Sequence, residues 1–142
     1  EAGTGGAFNG GGESVGRNIK LPMEQKLNKY VTDSETFHFF FSRKVMLAFA
    51  SEVYIYFPGG FGTLDEFFEI LTLVQTKKIS KVPIILYGKE FWDPLVLYIK
   101  EHLLKGGMID ESDMDLFVVV DSVAQAYQYI TTNVDGCAPR QI

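Results

Sequence analysis

An uninterrupted apolar run at residues 53–57, stopped at once by a glycine turn, constrains the fold of this chain most. The run joins β-branched and aromatic residues, Val-Tyr-Ile-Tyr-Phe, and ends at Pro58-Gly59-Gly60. Such a run is typical of a strand buried on both faces, as the strands of parallel sheets are. Beyond the turn, apolar residues recur at the spacing of a helix face, and this pattern predicts a helix over 63–78. Strand, glycine turn and helix in this order indicate one unit of an α/β fold.

The remaining segments continue this alternation. Strands are expected at 14–19, 28–32, 82–87 and 116–120, and helices at 34–51, 93–105 and 122–131. Six glycines within residues 1–13 favour a loop or a frayed helix there. We therefore predict an α/β, Rossmann-like doubly wound parallel sheet in three α/β/α layers, with ligands bound beyond the carboxyl ends of the strands. The 142 residues are expected to form a single domain, 1–142, with a polar tail at 133–142.

Charge and composition argue against several classes of partner. The net charge is −5 and the chain has no basic run, which disfavours a nucleic acid or an anionic membrane surface. No apolar run approaches the roughly 20 residues of a membrane span, and the first residues lack the order of a signal peptide. The single cysteine, Cys137, has no second thiol with which to form an intrachain disulfide. These features predict a cytoplasmic protein that binds a small ligand.

The glycine turn is a candidate phosphate site. Thr63 is expected to open the following helix, and backbone N–H groups at a helix N-terminus, added to the positive end of its dipole, bind phosphate. A plain glycine-rich turn with Thr63 as the helix cap fits the glycines equally well. Asp65 and Glu66, expected in the first helical turn, favour a site, because a carboxylate there would lie beside the sugar of a bound phosphoester. The P-loop and dinucleotide-binding spacings are both absent.

Three segments resemble the LOG family, whose members are also described as possible lysine decarboxylases. Residues 58–66, Pro-Gly-Gly-Phe-Gly-Thr-Leu-Asp-Glu, match its P-G-G-x-G-T-x-x-E signature. Its Arg-Lys motif, closely followed by Met after an aromatic-rich helix, is similar to residues 43–46, and its stretch around L-P-x-E-Q resembles 15–31. The resemblance covers 13 to about 131, and Glu1-Ala2 resembles the end of a further family motif.

The resemblance implies a nucleoside 5′-monophosphate phosphoribohydrolase, which hydrolyses a cytokinin nucleotide or AMP-like substrate to free base and ribose 5-phosphate. It implies a homodimer that needs neither cofactor nor metal. The catalytic pair carries over to Glu66 and Arg43, and a carboxylate near C1′ would stabilise positive charge on the ribose. The implied phosphate-binding residues are Gly59, Gly60, Phe61, Gly62 and Thr63, and the weaker substrate contacts are Glu1, Lys44 and Asp65.

Two other functions remain open. A binding protein of the same fold, for a nucleotide or a molybdenum cofactor, would keep the glycine turn but would need no catalytic pair. A decarboxylase would need pyridoxal phosphate on a Schiff-base lysine with a carboxylate partner for the pyridinium nitrogen. No lysine of the sequence lies in such a context, and Glu66 with Arg43 favours the hydrolase over the binding protein. Lys44 by itself is read as an ordinary surface charge.

Overall fold

The computed structural model describes residues 2–19 and 28–134. The chain divides into two compact units, Glu1–Phe49 and Ala50–Ile142, and parallel strands pair within each of them. Helices combined with parallel strands confirm the predicted α/β, Rossmann-like class. The single domain stays a prediction, and Glu1 and most of the polar tail lie outside the described residues.

The first unit contains one two-stranded sheet. Its elements are α1 (Ala2–Asn9), β1 (Val15–Ile19), β2 (Asp33–Phe37) and all but the last residue of α2 (Phe40–Ala50). Strands β1 and β2 are parallel, with Val15 opposite Asp33. Thr32 fixes the start of this pair, since its hydroxyl accepts from the Ser14 N–H and donates to the Ser14 carbonyl, both at 2.9 Å.

Two expectations for this unit are wrong. Residues 28–32 form a turn rather than a strand, because the Asn28 side chain accepts from the Tyr30 N–H at 3.0 Å. The segment expected to start a helix at Ser34 is instead β2, which finds its hydrogen-bond partner in β1, and the helix begins at Phe40.

Residues 2–9 are helical despite their glycines, where a loop or a frayed helix was expected. Gly5 is buried, and a Cβ added there would lie 3.4 Å from the Tyr30 ring. The Tyr30 ring therefore packs against α1 at Gly5, a contact that helix propensity does not measure.

The second unit contains a three-stranded parallel sheet in the order β3 (Tyr54–Tyr56), β4 (Ile84–Tyr87), β5 (Val118–Val120). Its helices are α3 (Phe61–Gln75), α4 (Lys89–Tyr98) and α5 (Val123–Asn133), with a π-helical turn at Ile99–Leu104 and a 3-10 helix at Glu111–Leu116. The largest fully buried side chains are those of Phe67, Ile84, Ile85, Leu86 and Trp92. The core thus includes the apolar run at 82–87, as predicted. The expected burial of 53–57 on both faces is wrong, because β3 is an edge strand of this sheet in which Tyr54 and Tyr56 are buried but Ile55 is 43% exposed.

The bounds of α3 and α4 differ most from prediction. Helix α3 begins at Phe61, two residues before Thr63, and ends at Gln75, so the two lysines expected in its last turn follow it. Helix α4 begins at Lys89, not at Asp93, and contains Pro94 in its interior. Proline is favoured in the first turn of a helix, and this preference misplaces the start of α4. None of the described helices has the length and apolar character needed to cross a membrane.

Candidate active site

The three parallel strands of the second unit end at one edge of their sheet. There the chain leaves β3 through Phe57-Pro58-Gly59-Gly60, β4 through Gly88, and β5 through Asp121-Ser122. The Gly88 N–H donates to the Val120 carbonyl at 2.8 Å, and a Cβ on Gly88 would lie 3.5 Å from Pro58. The turns therefore contact one another, and α3, α4 and α5 all begin at this edge, where open α/β sheets bind ligands.

Gly59 and Gly60 serve different purposes in the turn before α3. A Cβ on Gly59 would collide with the Thr63 side chain, lying 2.9 Å from its Cβ, so only glycine fits there. Gly60 is the N-cap of α3, and its carbonyl accepts from the N–H groups of Thr63 and Leu64 at 3.1 and 3.2 Å. The amides of Phe61 and Gly62 precede these first hydrogen bonds of the helix and point toward its N-terminal end.

The glycine backbone at this helix end is accessible. A Cβ on either Gly60 or Gly62 would meet no atom of the described residues within 4 Å. The interpretation of Thr63 as a cap is wrong, since Thr63 is the third residue of α3 and no side chain of the described residues caps this N-terminus by a hydrogen bond. A bare helix N-terminus with open backbone in front of it has the geometry that binds a phosphate.

The two acidic residues lie one turn further along than expected. Because α3 begins at Phe61, no acidic residue occupies its first turn, and Asp65 and Glu66 stand in the second. Glu66 follows Gly62 by four residues, so both lie on one face of the helix. Asp65 is exposed, whereas Glu66 is half-buried. The helix dipole fades within the first turn, so it stabilises these two carboxylates less than the sequence suggested.

Tyr56 connects the strand to the turn of α3 that carries Glu66. Its hydroxyl donates to the Glu66 backbone carbonyl at 3.1 Å, and its buried ring packs edge-on against Phe67. Burial raises the pKa of Tyr56, and the negative charge of Glu66 raises it further, so the hydroxyl stays a neutral donor at physiological pH. Sequence reasoning missed this residue; the available signal was a tyrosine with a polar end inside a buried strand, which needs a hydrogen-bond partner.

Arg43 and Lys44 lie in α2, within the first unit. Both side chains are half-buried, and the Nε atom of Arg43 is inaccessible to solvent. The simpler interpretation of Lys44, a fully solvated surface charge, therefore does not describe Lys44, and it does not describe Arg43 either. The association of Arg43 with Glu66, which lies in the second unit, stays a prediction, and Glu1 lies outside the described residues.

The family model described as "Possible lysine decarboxylase" matches residues 1–130, which is most of the chain. The chain belongs to this family, the LOG family. The resemblance carried by residues 58–66 and 43–46 is thus confirmed at the level of the family.

Two curated relatives support the same assignment. A cytokinin riboside 5′-monophosphate phosphoribohydrolase from Rhodococcoides fascians is 31% identical over 96 residues, 68% of this chain and 48% of the relative. A probable cytokinin riboside 5′-monophosphate phosphoribohydrolase, LOG6, from Arabidopsis thaliana is 32% identical over 98 residues, 68% of this chain and 49% of the relative. In these matches the aligned part of the chain spans about half the length of each relative.

Two cavities of the second unit have linings that do not include the glycine turn. One of about 370 Å³ lies between β5 and α5, and one of about 190 Å³ lies at the far end of α3, between Leu71, Gln75, Leu103 and Met114. Across residues 2–19 and 28–134, no group of three or more His, Cys, Asp or Glu side chains is placed to hold a metal ion. The LOG turn and its acidic residues therefore remain the candidate active site.

Proposed function

We propose that this LOG-family protein is a nucleoside 5′-monophosphate phosphoribohydrolase that releases a free base and ribose 5-phosphate from an AMP-like or cytokinin nucleotide. The observation that carries the proposal is the uncapped N-terminus of α3, with open backbone at Gly60 and Gly62 and the Glu66 carboxylate on the same helix face. The names of the two curated relatives, both phosphoribohydrolases, support it.

In the proposed complex the phosphate occupies the end of α3. The amides of Phe61 and Gly62 donate to its oxygens, the Thr63 hydroxyl adds a donor, and Gly59 and Gly60 keep the approach free of side chains. The sugar then lies along the first two turns of α3, beside Glu66 and Asp65. Glu1 and Lys44 are proposed as weaker substrate contacts.

Glu66 supplies the main catalytic group of the proposed reaction. As the C1′–N bond breaks, its electron pair leaves with the base, and positive charge develops on the ribose ring. The Glu66 carboxylate stabilises this charge and orients the water whose oxygen bonds to C1′. One proton of that water goes to the base, directly or through solvent, and Arg43 is proposed to orient Glu66 or to bind the departing base. No cofactor takes part.

The test is chromatographic detection of free base after incubation with AMP, GMP, CMP or isopentenyl-AMP. We expect release by the protein that carries this sequence, and a fall of about 10²- to 10⁴-fold in kcat for Glu66→Gln, the range for loss of a charge-stabilising or proton-transferring group. The matched control is Glu69→Gln, the same change one turn further from the glycine turn, which should retain activity. Absence of release from every nucleotide would instead favour a binding protein of the same fold.

Assembly and location belong to the proposal as well. The family resemblance implies a homodimer, the single cysteine fits a cytoplasmic location, and the net charge of −5 favours a small-molecule substrate over nucleic acid or a membrane surface. Sedimentation of the purified protein would check the dimer.

A further inference from the structure

The cavity of about 190 Å³ at the far end of α3 lies apart from the candidate active site. Three segments line it: the second half of α3, the π-helical turn at Ile99–Leu104, and residues 109–117, which include the 3-10 helix. We call this space the α3 cavity. It lies within the second unit and shares no lining residue with the glycine turn or the catalytic pair, so the proposed function does not account for it.

Most of the lining of the α3 cavity is apolar. Ile99 and Phe117 are buried in its wall, and Leu71 of α3 and Leu103 of the π-helical turn are half-buried beside it. An apolar cavity of about 150 Å³ stays free of water and takes up a molecule of the size of benzene. The α3 cavity is slightly larger, so its volume suits one ring with a short substituent.

One side of the α3 cavity is polar. Gln75 and Asp113 belong to the lining, and the Gln75 side-chain amide donates to Oδ2 of Asp113 at 2.7 Å. The same oxygen accepts from the Asp110 N–H at 2.9 Å, at the start of the 3-10 helix. Two hydrogen bonds therefore fix the Asp113 carboxylate, which is the one charged group among the described residues of the lining.

The π-helical turn gives a separate reason to expect a ligand here. It continues α4 and contributes Ile99 and Leu103 to the lining. Turns of this kind are rare, and they occur frequently at functional sites. Small-molecule sites combine a mainly apolar lining with a few fixed polar groups, and the α3 cavity has both parts.

We propose that the α3 cavity binds a small primary amine whose apolar body is about one ring in size, with the ammonium group at Asp113. An ammonium donates N–H groups to a carboxylate, whereas an anion of the same size is repelled by it. Gln75 is exposed, so the ammonium keeps part of its water and avoids most of the cost of burying a charge. This second site does not depend on the phosphoribohydrolase activity.

The test compares benzylamine with benzoate, which have the same ring and opposite charges. Dissociation constants are measured by NMR titration of the purified protein. Benzylamine should bind with a Kd of about 1 mM or below, which is attainable for a ligand of about eight non-hydrogen atoms. Benzoate should bind about 2- to 30-fold more weakly, the range for exchanging attraction for repulsion at a partly exposed charge.

Asp113→Asn should remove this preference, because asparagine keeps an oxygen for Gln75 and for the Asp110 N–H but loses the charge. The matched control is Asp115→Asn, the same change in the same 3-10 helix at a residue outside the lining, which should retain the preference. A preference for benzylamine that survives Asp113→Asn would overturn the inference, as would the absence of saturable benzylamine binding to the unmutated protein.

A second pair of variants tests the apolar part of the site. Leu103→Trp should weaken benzylamine binding by at least about 10-fold, because the larger side chain takes the space in which the ring is buried. Leu97→Trp is its control, since Leu97 is exposed on α4 and does not line the cavity. Thermal unfolding checks that both variants fold. Unchanged binding to folded Leu103→Trp would place benzylamine elsewhere and refute the proposal; if Leu103→Trp does not fold, the two aspartate variants decide.

Discussion

At the scale of single residues, the glycines of the signature differ in what they contribute. Gly59 is required by the fold, because a Cβ would overlap the Thr63 side chain, whereas Gly60 faces open space with φ −91° and ψ −157°, a conformation that alanine can adopt. We therefore expect the signature to combine positions that the chain needs for its own packing with positions that the proposed ligand needs.

Alanine substitutions separate these two needs. We expect Gly59→Ala to lower the free energy of unfolding by about 1–3 kcal/mol, the usual effect of forcing an extra carbon into a packed site. Gly60→Ala should leave that free energy nearly unchanged and weaken phosphate binding. Urea unfolding and titration with inorganic phosphate measure the two effects. Equal stability of the two variants would contradict the steric role of Gly59.

At the scale of elements, the connection between β4 and α4 depends on one backbone conformation. Gly88 has φ +99°, caps α4 and donates its N–H to Val120, so it ties the end of β4 to β5. Residues with a Cβ rarely adopt positive φ. The short connection therefore favours glycine at this position.

Gly88→Ala should therefore cost about 1–2 kcal/mol of stability, the strain of a side chain in the left-handed region. The control is Gly62→Ala, since Gly62 lies within α3 with open space around it. There alanine should leave stability unchanged or raise it by up to about 1 kcal/mol, because it restricts the unfolded chain and favours helix. The thermal unfolding temperature should fall for Gly88→Ala and should stay the same or rise for Gly62→Ala.

At the scale of the whole molecule, tyrosines make the folded state sensitive to alkali. Burial raises the pKa of Tyr54, Tyr56 and Tyr129, so the folded chain retains phenol protons that the unfolded chain loses near pH 10. The unfolded state then binds fewer protons than the folded state. Stability from this source is fully present below about pH 10 and falls as the pH rises through the raised pKa values.

Urea unfolding at pH 8 and at about pH 10.5 measures this loss. The free energy of unfolding should fall between the two, and Tyr56→Phe should reduce the fall because the residue that no longer titrates is the one whose pKa is raised most clearly. At pH 8 the same variant should lose about 1 kcal/mol, the contribution of the hydrogen bond to Glu66. An identical pH dependence in Tyr56→Phe and the unmutated chain would refute the assignment.

The sequence by itself determined the α/β class, the strand near 53–57, the buried strand near 82–87, the glycine turn after β3 and the family, but not the exposure of one face of β3. These features depend on local composition, periodicity and spacing, which can be read from neighbouring residues. Tertiary structure decided that residues 33–37 pair with β1 rather than begin a helix, that glycine-rich α1 packs against Tyr30, and that α3 starts at Phe61. It also placed the Tyr56 hydroxyl on the Glu66 carbonyl. The strand pairing, the packing of Tyr30 on α1 and the Tyr56 hydrogen bond depend on contacts beyond adjacent residues, and such contacts outweigh differences in local propensity of about 1 kcal/mol. The start of α3 follows instead from the local hydrogen bonds that the Gly60 carbonyl accepts.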